Sequence, residues 1–226
     1  MLVIFDMDGV LVDSTDTSCT ILTSYYNSIG IKAVKNDFLP YRGRGQEILL
    51  SGYARHLNID FNLEEASLFY FNRYEEILNK TNAVLPGVKS FISMLKKANI
   101  TIAIASSAPK WRVEANLKAL GYTIEDFSLV LSAKDVEKNK PDPEIYNKAM
   151  SRLKASPVDT LIVEDSLSGL IAARESGANV LAVLTSEEEK EIKKLGINYI
   201  VPSLDKINKF STLEEFNSAL KDLAIV

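Results

Sequence analysis

The sequence lacks the residues that would point to disulfide bridging, a membrane or nucleic acid. Its one cysteine, Cys19, leaves no partner for an intramolecular disulfide and no cysteine-rich zinc site, which suits a reducing cytoplasm. Histidine and tryptophan also occur once each, as His56 and Trp111, and neither they nor Cys19 stand in a context that lifts them above packing. No stretch approaches the ~18 consecutive apolar residues that a membrane-spanning helix needs. The apolar run at the N-terminus is broken by Asp6 and Asp8 and has no basic lead, so it does not read as a signal peptide. Basic residues number 26 against 30 acids, a formal net charge of −4, and they form no tract, so nucleic acid is not expected as a partner. What the chain does have is core: 46% of its 226 residues are hydrophobic, enough for one large α/β domain or a core with a modest insert. A soluble, cytoplasmic protein, monomeric or weakly homodimeric, is expected.

Leu2-Val3-Ile4-Phe5 runs straight into Asp6-Met7-Asp8-Gly9. Four apolar residues, two of them β-branched, followed by acids and a glycine predict a buried strand ending in a tight polar turn. Open α/β sheets bind their ligands at such strand ends. Side chains two apart in an extended chain share a side, so Asp6 and Asp8 can both face a ligand, and Gly9 lets the backbone turn away. Two crowded carboxylates call for a shared proton or a cation. Both solutions suit phosphoryl transfer, in which one carboxylate attacks phosphorus, a divalent ion offsets the charge and the other acid moves a proton.

After Asp13 the pattern turns helical. Leu22, Tyr25, Tyr26 and Ile29 recur at helical spacing up to Gly30, with Asp13, Ser14 or Thr15 as the cap, and further stripes run through Leu49, Tyr53 and Leu57 and through Ala66, Tyr70 and Tyr74. Strand and helix alternate only after Leu85-Pro86-Gly87, with apolar strands predicted at 101–106, 129–131, 160–163, 180–184 and 199–201 and a terminal helix through Leu213, Phe216, Leu220 and Leu223. Ser186 and Glu189 have capping-box spacing, which predicts a helix start there. The alternation predicts an α/β fold, a Rossmann-like doubly wound parallel sheet covered on both faces. Its core would comprise 1–14 and 83–226, and 15–82 would form an inserted all-helical cap domain.

Three further stretches carry chemistry. Ser106-Ser107-Ala108-Pro109 lies where a strand hands over to a helix, and its hydroxyl and backbone N–H groups suit an anion, although the same residues make an ordinary cap. Lys140, in Lys140-Pro141-Asp142-Pro143, sits on a stiffened turn where a fixed ammonium can hold a phosphate and an attacking carboxylate. Glu164-Asp165-Ser166 follows an apolar strand and offers the hard oxygen ligands that Mg²⁺ takes.

In order, Asp6-Met7-Asp8-Gly9-Val10-Leu11-Val12-Asp13-Ser14, Ser106-Ser107, Lys140-Pro141-Asp142-Pro143, and Glu164-Asp165-Ser166 with Gly169, Ala172 and Ala173 resemble the four motifs of the haloacid dehalogenase-like (HAD) phosphatase superfamily. The likeness is to its phosphoglycolate phosphatase and β-phosphoglucomutase-like branch and spans nearly the whole chain. It implies a Mg²⁺-dependent phosphatase that hydrolyses a small phosphorylated metabolite, of the phosphoglycolate or sugar-phosphate class, through an aspartyl-phosphate. Carried over, Asp6 is the nucleophile and a metal ligand, and Asp8 is general acid then base with its backbone carbonyl on the metal. Ser106, Ser107 and Lys140 hold the phosphate, Asp165 is the second metal carboxylate, and Glu164 serves the metal from the outer sphere. Asp8 speaks against the dehalogenase branch, because a halide leaves without a proton and an alkoxide does not.

Two alternatives remain. Mutases of the β-phosphoglucomutase type carry a histidine early in the cap where this chain has Ser18, which disfavours a phosphosugar mutase. A non-enzymatic phospho-receiver module also gathers acids, a hydroxyl and a lysine on a parallel sheet, but it is shorter and has no inserted helices. Substrate choice is expected from the cap, where Arg42 and Arg44 in Tyr41-Arg42-Gly43-Arg44-Gly45-Gln46 can clamp a second anionic or hydroxyl-rich group. Arg42→Ala and Arg44→Ala should each lower kcat/KM on the best metabolite by about tenfold to a hundredfold while sparing p-nitrophenyl phosphate. A uniform loss on both substrates would assign the loop to cap closure, and no loss would make it a solvated turn.

Overall fold

The computed structural model describes residues 1–41, 45–81, 83–197, 199–207, 212 and 214–218. It divides into two compact units, one made of Met1–Val12 with Val84–Val226 and the other of Asp13–Ala83. Among the described residues the helices include α1 (Ser14–Ser28), α2 (Gln46–Leu57), α3 (Leu63–Lys80), α4 (Val88–Lys97), α5 (Lys110–Leu120), α6 (Glu144–Arg152), α7 (Leu167–Glu175) and α8 (Glu189–Lys194). None of them is long and apolar enough to cross a membrane.

The first unit is built on strands β1 (Leu2–Phe5), β2 (Thr101–Ala105), β3 (Leu129–Leu131), β4 (Thr160–Glu164), β5 (Asn179–Val183) and β6 (Tyr199–Val201), in the order β3-β2-β1-β4-β5-β6. All five pairings are parallel. This is the α/β sheet that the alternation predicts, and its central strands are buried on both faces because helices cover both. The chain lays down β1 to β3 on one side of the start and β4 to β6 on the other. The order therefore reverses between β1 and β4, and the crevice at their C-terminal ends is where open sheets of this kind take ligands. Phe5 pairs with Ile104 and with Val163, and the Asp6 amide donates to Val163 O at 3.0 Å, so Asp6 leaves the sheet abreast of Glu164.

Strand alternation sorts the side chains. Leu2, Ile4, Ala103, Ala105 and Ile162 pack with Ile145, Tyr146, Ala149 and Met150 of α6 and Leu170, Ala172 and Ala173 of α7. Phe5 points the other way and meets Phe91 of α4 edge to face, with ring centroids 5.8 Å apart. Residues 214–218 are helical and Phe216 is buried, 6.2 Å from the Phe91 ring. The rest of the expected terminal helix lies outside the described residues.

The second unit has no strand among its described residues. Asp13 caps α1 by accepting from the Thr15 amide at 3.0 Å. Its core is aromatic: Tyr26 contacts Tyr25, Phe38, Tyr53 and Phe61, and its hydroxyl donates to Leu50 O at 2.9 Å and accepts from the Ala54 amide at 3.1 Å. Burial pushes the Tyr26 hydroxyl up to about 12, so it stays protonated and able to donate. His56 is exposed on α2, a surface position rather than a packed one.

In the first unit, α4 starts from Gly87 at φ +81°, where an added Cβ would lie 2.1 Å from the Asp205 backbone nitrogen. Gly87→Ala should therefore cost at least about 1–3 kcal/mol through backbone strain alone. A lower urea midpoint with an unchanged m-value is the expected readout. An unchanged midpoint would refute the backbone strain assigned to this position.

Candidate active site

Asp6 follows β1 and Glu164 ends β4, and alternation places both on the face of Ile4 and Ile162, which α6 covers. The turn leading into α6 delivers Lys140 to the same face, with its side chain only 4% exposed. Its Nζ donates to Asp6 Oδ1 at 2.6 Å, to Glu164 Oε1 at 2.6 Å and to Ala105 O at 3.2 Å. Burial alone would pull this ammonium down, but Asp6 and Glu164 push it well above the ordinary lysine value, so it stays charged. The Tyr146 ring centroid lies 4.9 Å from Nζ, and its hydroxyl donates to Glu164 Oε1 at 2.9 Å.

Glu164 has no oxygen left over. Its Oε2 accepts from the Asp165 amide at 2.8 Å, the Ser166 amide at 3.0 Å and the Ser166 hydroxyl at 3.3 Å. Burial would raise this carboxyl, but Lys140 and these donors hold it below the usual carboxylate value. Gly169 makes the arrangement possible, since a Cβ there would stand 1.8 Å from Oε1. Ser166 caps α7, its hydroxyl accepting from the Gly169 amide at 3.2 Å.

Asp165 is held differently. Its Oδ2 faces the hydroxyls of Thr185, at 3.1 Å, and Ser186. Thr185 Oγ1 also lies 2.5 Å from Gly9 O, so its single proton is shared between the two acceptors. Gly9 has φ +88° and a Cβ there would come within 2.0 Å of Oδ2, so the close approach requires glycine. Asp165 Oδ1 is buried with no hydrogen-bond partner among the described residues. Ser186 does not open a helix as its spacing suggests: α8 begins at Glu189, its cap residue is Glu188, and the Ser186 hydroxyl serves Asp165 instead.

A cation fits this arrangement. One carboxylate oxygen each from Asp6, Glu164 and Asp165 lie within 4.8 Å of one another, against the single Lys140 ammonium. Burial, reinforced by the neighbouring acids, pushes Asp6 well above the usual carboxylate range, and burial with Glu164 beside it raises Asp165 to about 7. An orphaned buried oxygen and uncompensated negative charge are both unfavourable, and a hard cation on Asp6 and Asp165 relieves both.

Asp8 turns to a different element. Its Oδ1 accepts from Arg112 Nη2 at 2.9 Å and Asn116 Nδ2 at 3.3 Å, one turn apart on α5. The Asp8 side chain thus stands outside the carboxylate cluster. Ser106 is buried at the end of β2 and its hydroxyl accepts from the Ala108 amide at 3.1 Å, while the cap position of α5 belongs to Pro109. Ser107 is exposed. Arg42 and Arg44 lie outside the described residues. Ser18 is buried in the second unit, 2.7 Å from the Tyr70 hydroxyl.

Arg112, Asn116, Thr185 and the Tyr146 hydroxyl have no signal in the sequence that marks them as site groups. Arg112 and Asn116 share the i, i+4 spacing of any helix face, and the one available hint is that the face they occupy also carries the buried Val113 and Leu117.

The model described as haloacid dehalogenase-like hydrolase matches residues 3–183. The chain is 30% identical over 175 residues to a phosphorylated carbohydrates phosphatase of Thermotoga maritima, covering 77% of this chain and 81% of that protein. It is 28% identical over 216 residues to a phosphoglycolate phosphatase of Nitrosospira multiformis, covering 92% and 93%. Two longer proteins of Arabidopsis thaliana also match, and the chain spans 20% and 48% of their lengths. The crystal structure of CbbY from Rhodobacter sphaeroides superposes with a TM-score of 0.80 over 96% of this chain and 98% of that one, at 22% identity, a likeness of fold.

The charge balance of the site has a consequence for stability. Folding raises Asp165 from the ordinary 3.8 to about 7, so the metal-free native state holds an extra proton between those values. Its stability should fall as pH rises through that window. Mg²⁺ should then raise the thermal midpoint of the EDTA-treated protein more at pH 8, where Asp165 is already ionised, than at pH 5. No shift at either pH would refute the cation site, and equal shifts at the two would refute the raised Asp165 carboxyl.

Proposed function

Because the chain belongs to the haloacid dehalogenase-like hydrolase family, we propose that it is a phosphoric monoester hydrolase that uses Mg²⁺ to hydrolyse a phosphoglycolate- or sugar-phosphate-class metabolite through an aspartyl-phosphate on Asp6. The observation that carries this reading is the Lys140 bridge. Lys140 fixes Asp6 by Oδ1, and Asp6 Oδ2 has no hydrogen bond among the described residues. That oxygen is the nucleophile.

Asp6 Oδ2 attacks phosphorus, the bond from phosphorus to the ester oxygen breaks, and the departing alkoxide takes a proton from Asp8. Asp8 then takes a proton from water as the water oxygen attacks phosphorus. The bond to Asp6 breaks, releasing inorganic phosphate and leaving Asp8 protonated again. Lys140, the Ser106 hydroxyl and the backbone N–H groups around Ser107 hold the phosphate oxygens. Mg²⁺, held by Asp6, Asp165 and the Asp8 backbone carbonyl, would offset the negative charge of phosphate and nucleophile. Glu164 orients Lys140 and stays out of the inner sphere, since both of its oxygens are engaged.

We take Met1–Val12 with Val84–Val226 as the catalytic core and Asp13–Ala83 as a helical cap that selects the substrate. Ser18 favours hydrolysis over a mutase reaction, because its hydroxyl is turned to Tyr70 and supplies no acid–base group of the histidine kind. A non-enzymatic receiver is set aside with the family membership. The enzyme is read as a cytoplasmic monomer or weak homodimer with no nucleic-acid or membrane partner.

Asp6→Asn should abolish turnover in a protein that still folds, because an amide neither attacks phosphorus nor binds Mg²⁺ as a carboxylate does. Phosphate release within about tenfold of wild type, a loss of roughly 1.4 kcal/mol or less, would remove Asp6 as nucleophile. A panel of phosphorylated metabolites scored by phosphate release identifies the substrate.

A further inference from the structure

Arg112 is a buried cation on α5, and Asn116, four residues on, is fully buried. A buried guanidinium is unfavourable unless an acceptor meets it, and one acceptor here is Asp8 Oδ1, at 2.9 Å from Arg112 Nη2 and 3.3 Å from Asn116 Nδ2. Both donors converge on one oxygen. Asp8 Oδ2 has no hydrogen bond among the described residues, and the Asp8 side chain is 27% exposed.

The geometry points to Arg112 and Asn116 as positioning residues for the acid–base group: they anchor Asp8 by Oδ1 so that Oδ2 alone carries the proton in both half-reactions. This rests on the reading of Asp8 as general acid and base given above. When Asp8 is protonated, Oδ1 already accepts two hydrogen bonds from groups that can only donate, so the proton resides on Oδ2. In the first half-reaction the Oδ2–H bond breaks and the proton passes to the alkoxide as its bond to phosphorus opens. In the second, Oδ2 takes a proton from the attacking water, and the starting state returns. The anchor belongs to the same unit as Asp6 and owes nothing to the substrate. The base therefore remains in place after the alcohol has left, which favours water as the second acceptor and suits a hydrolase.

The test is rapid-quench measurement of phosphoenzyme formation and decay in wild type, Arg112→Met, Arg112→Lys and Asn116→Ala, with a sugar phosphate and with 2,4-dinitrophenyl phosphate. Arg112→Met should slow phosphoenzyme formation from the sugar phosphate by about tenfold or more, change that from the dinitrophenyl ester by less than about threefold, and slow phosphoenzyme decay about tenfold. Arg112→Lys should recover part of each loss. A purely structural role would slow both esters alike, and an unchanged ratio of esters would overturn the proposal whatever the decay rate. Should Arg112→Met fail to fold, Asn116→Ala decides by the same ratio of esters, with a smaller expected loss. A wild type that forms no phosphoenzyme overturns the aspartyl-phosphate reading together with this one. A wild type that forms it, beside variants with an unchanged ratio, overturns this one alone.

Discussion

The site depends on one buried ammonium held between two carboxylates. Lys140 reaches Asp6 and Glu164 at the same distance, 2.6 Å, and bridges the ends of two neighbouring parallel strands. Buried ion pairs contribute little net stability after desolvation, so the bridge is better understood as a device for aim than for folding. It is in turn aimed from below. The Tyr146 hydroxyl, the Asp165 and Ser166 amides and the room left by Gly169 fix Glu164, and Glu164 fixes the lysine.

The same bridge sets the electrostatics. Burial raises the carboxyls of Asp6 and Asp165, and because one ammonium cannot neutralise Asp6, Glu164 and Asp165 together, the neighbouring acids reinforce it. Asp165 also keeps a buried oxygen without a hydrogen bond among the described residues, so there the demand for a cation and the means of binding it coincide. Thr185 and Ser186 hold the other Asp165 oxygen, much as Arg112 and Asn116 hold one oxygen of Asp8. In each case the surrounding donors engage one oxygen and leave the other open for chemistry.

The residues that the sequence makes visible share a local cause. Asp6, Ser106 and Glu164-Asp165 stand where an apolar run meets polar residues, and strand ends of a parallel sheet read that way because the strands are buried on both faces. Lys140 is visible through the prolines around it. Tyr146 reads as one apolar stripe residue among several, since periodicity registers its burial and not its hydroxyl. Ser186 misleads for a related reason: capping-box spacing is a local pattern, whereas the carboxylate that takes its hydroxyl is 21 residues away in the chain.

By itself the sequence determined the α/β alternation, the interruption by a helical stretch, and the four motif stretches, because each is written in periodicity or in contiguous residue types. The strand order β3-β2-β1-β4-β5-β6 was left to the tertiary structure, and with it the meeting of Asp6, Lys140 and Glu164 at one crevice. So was the identity of the groups that orient them. Arg112 lies 104 residues from Asp8, and Thr185 lies 20 from Asp165 and 176 from Gly9. Contacts of that separation arise only when strands align in register and helices settle on their faces, and no local pattern of residues records which donor will then stand within 3 Å of which acceptor.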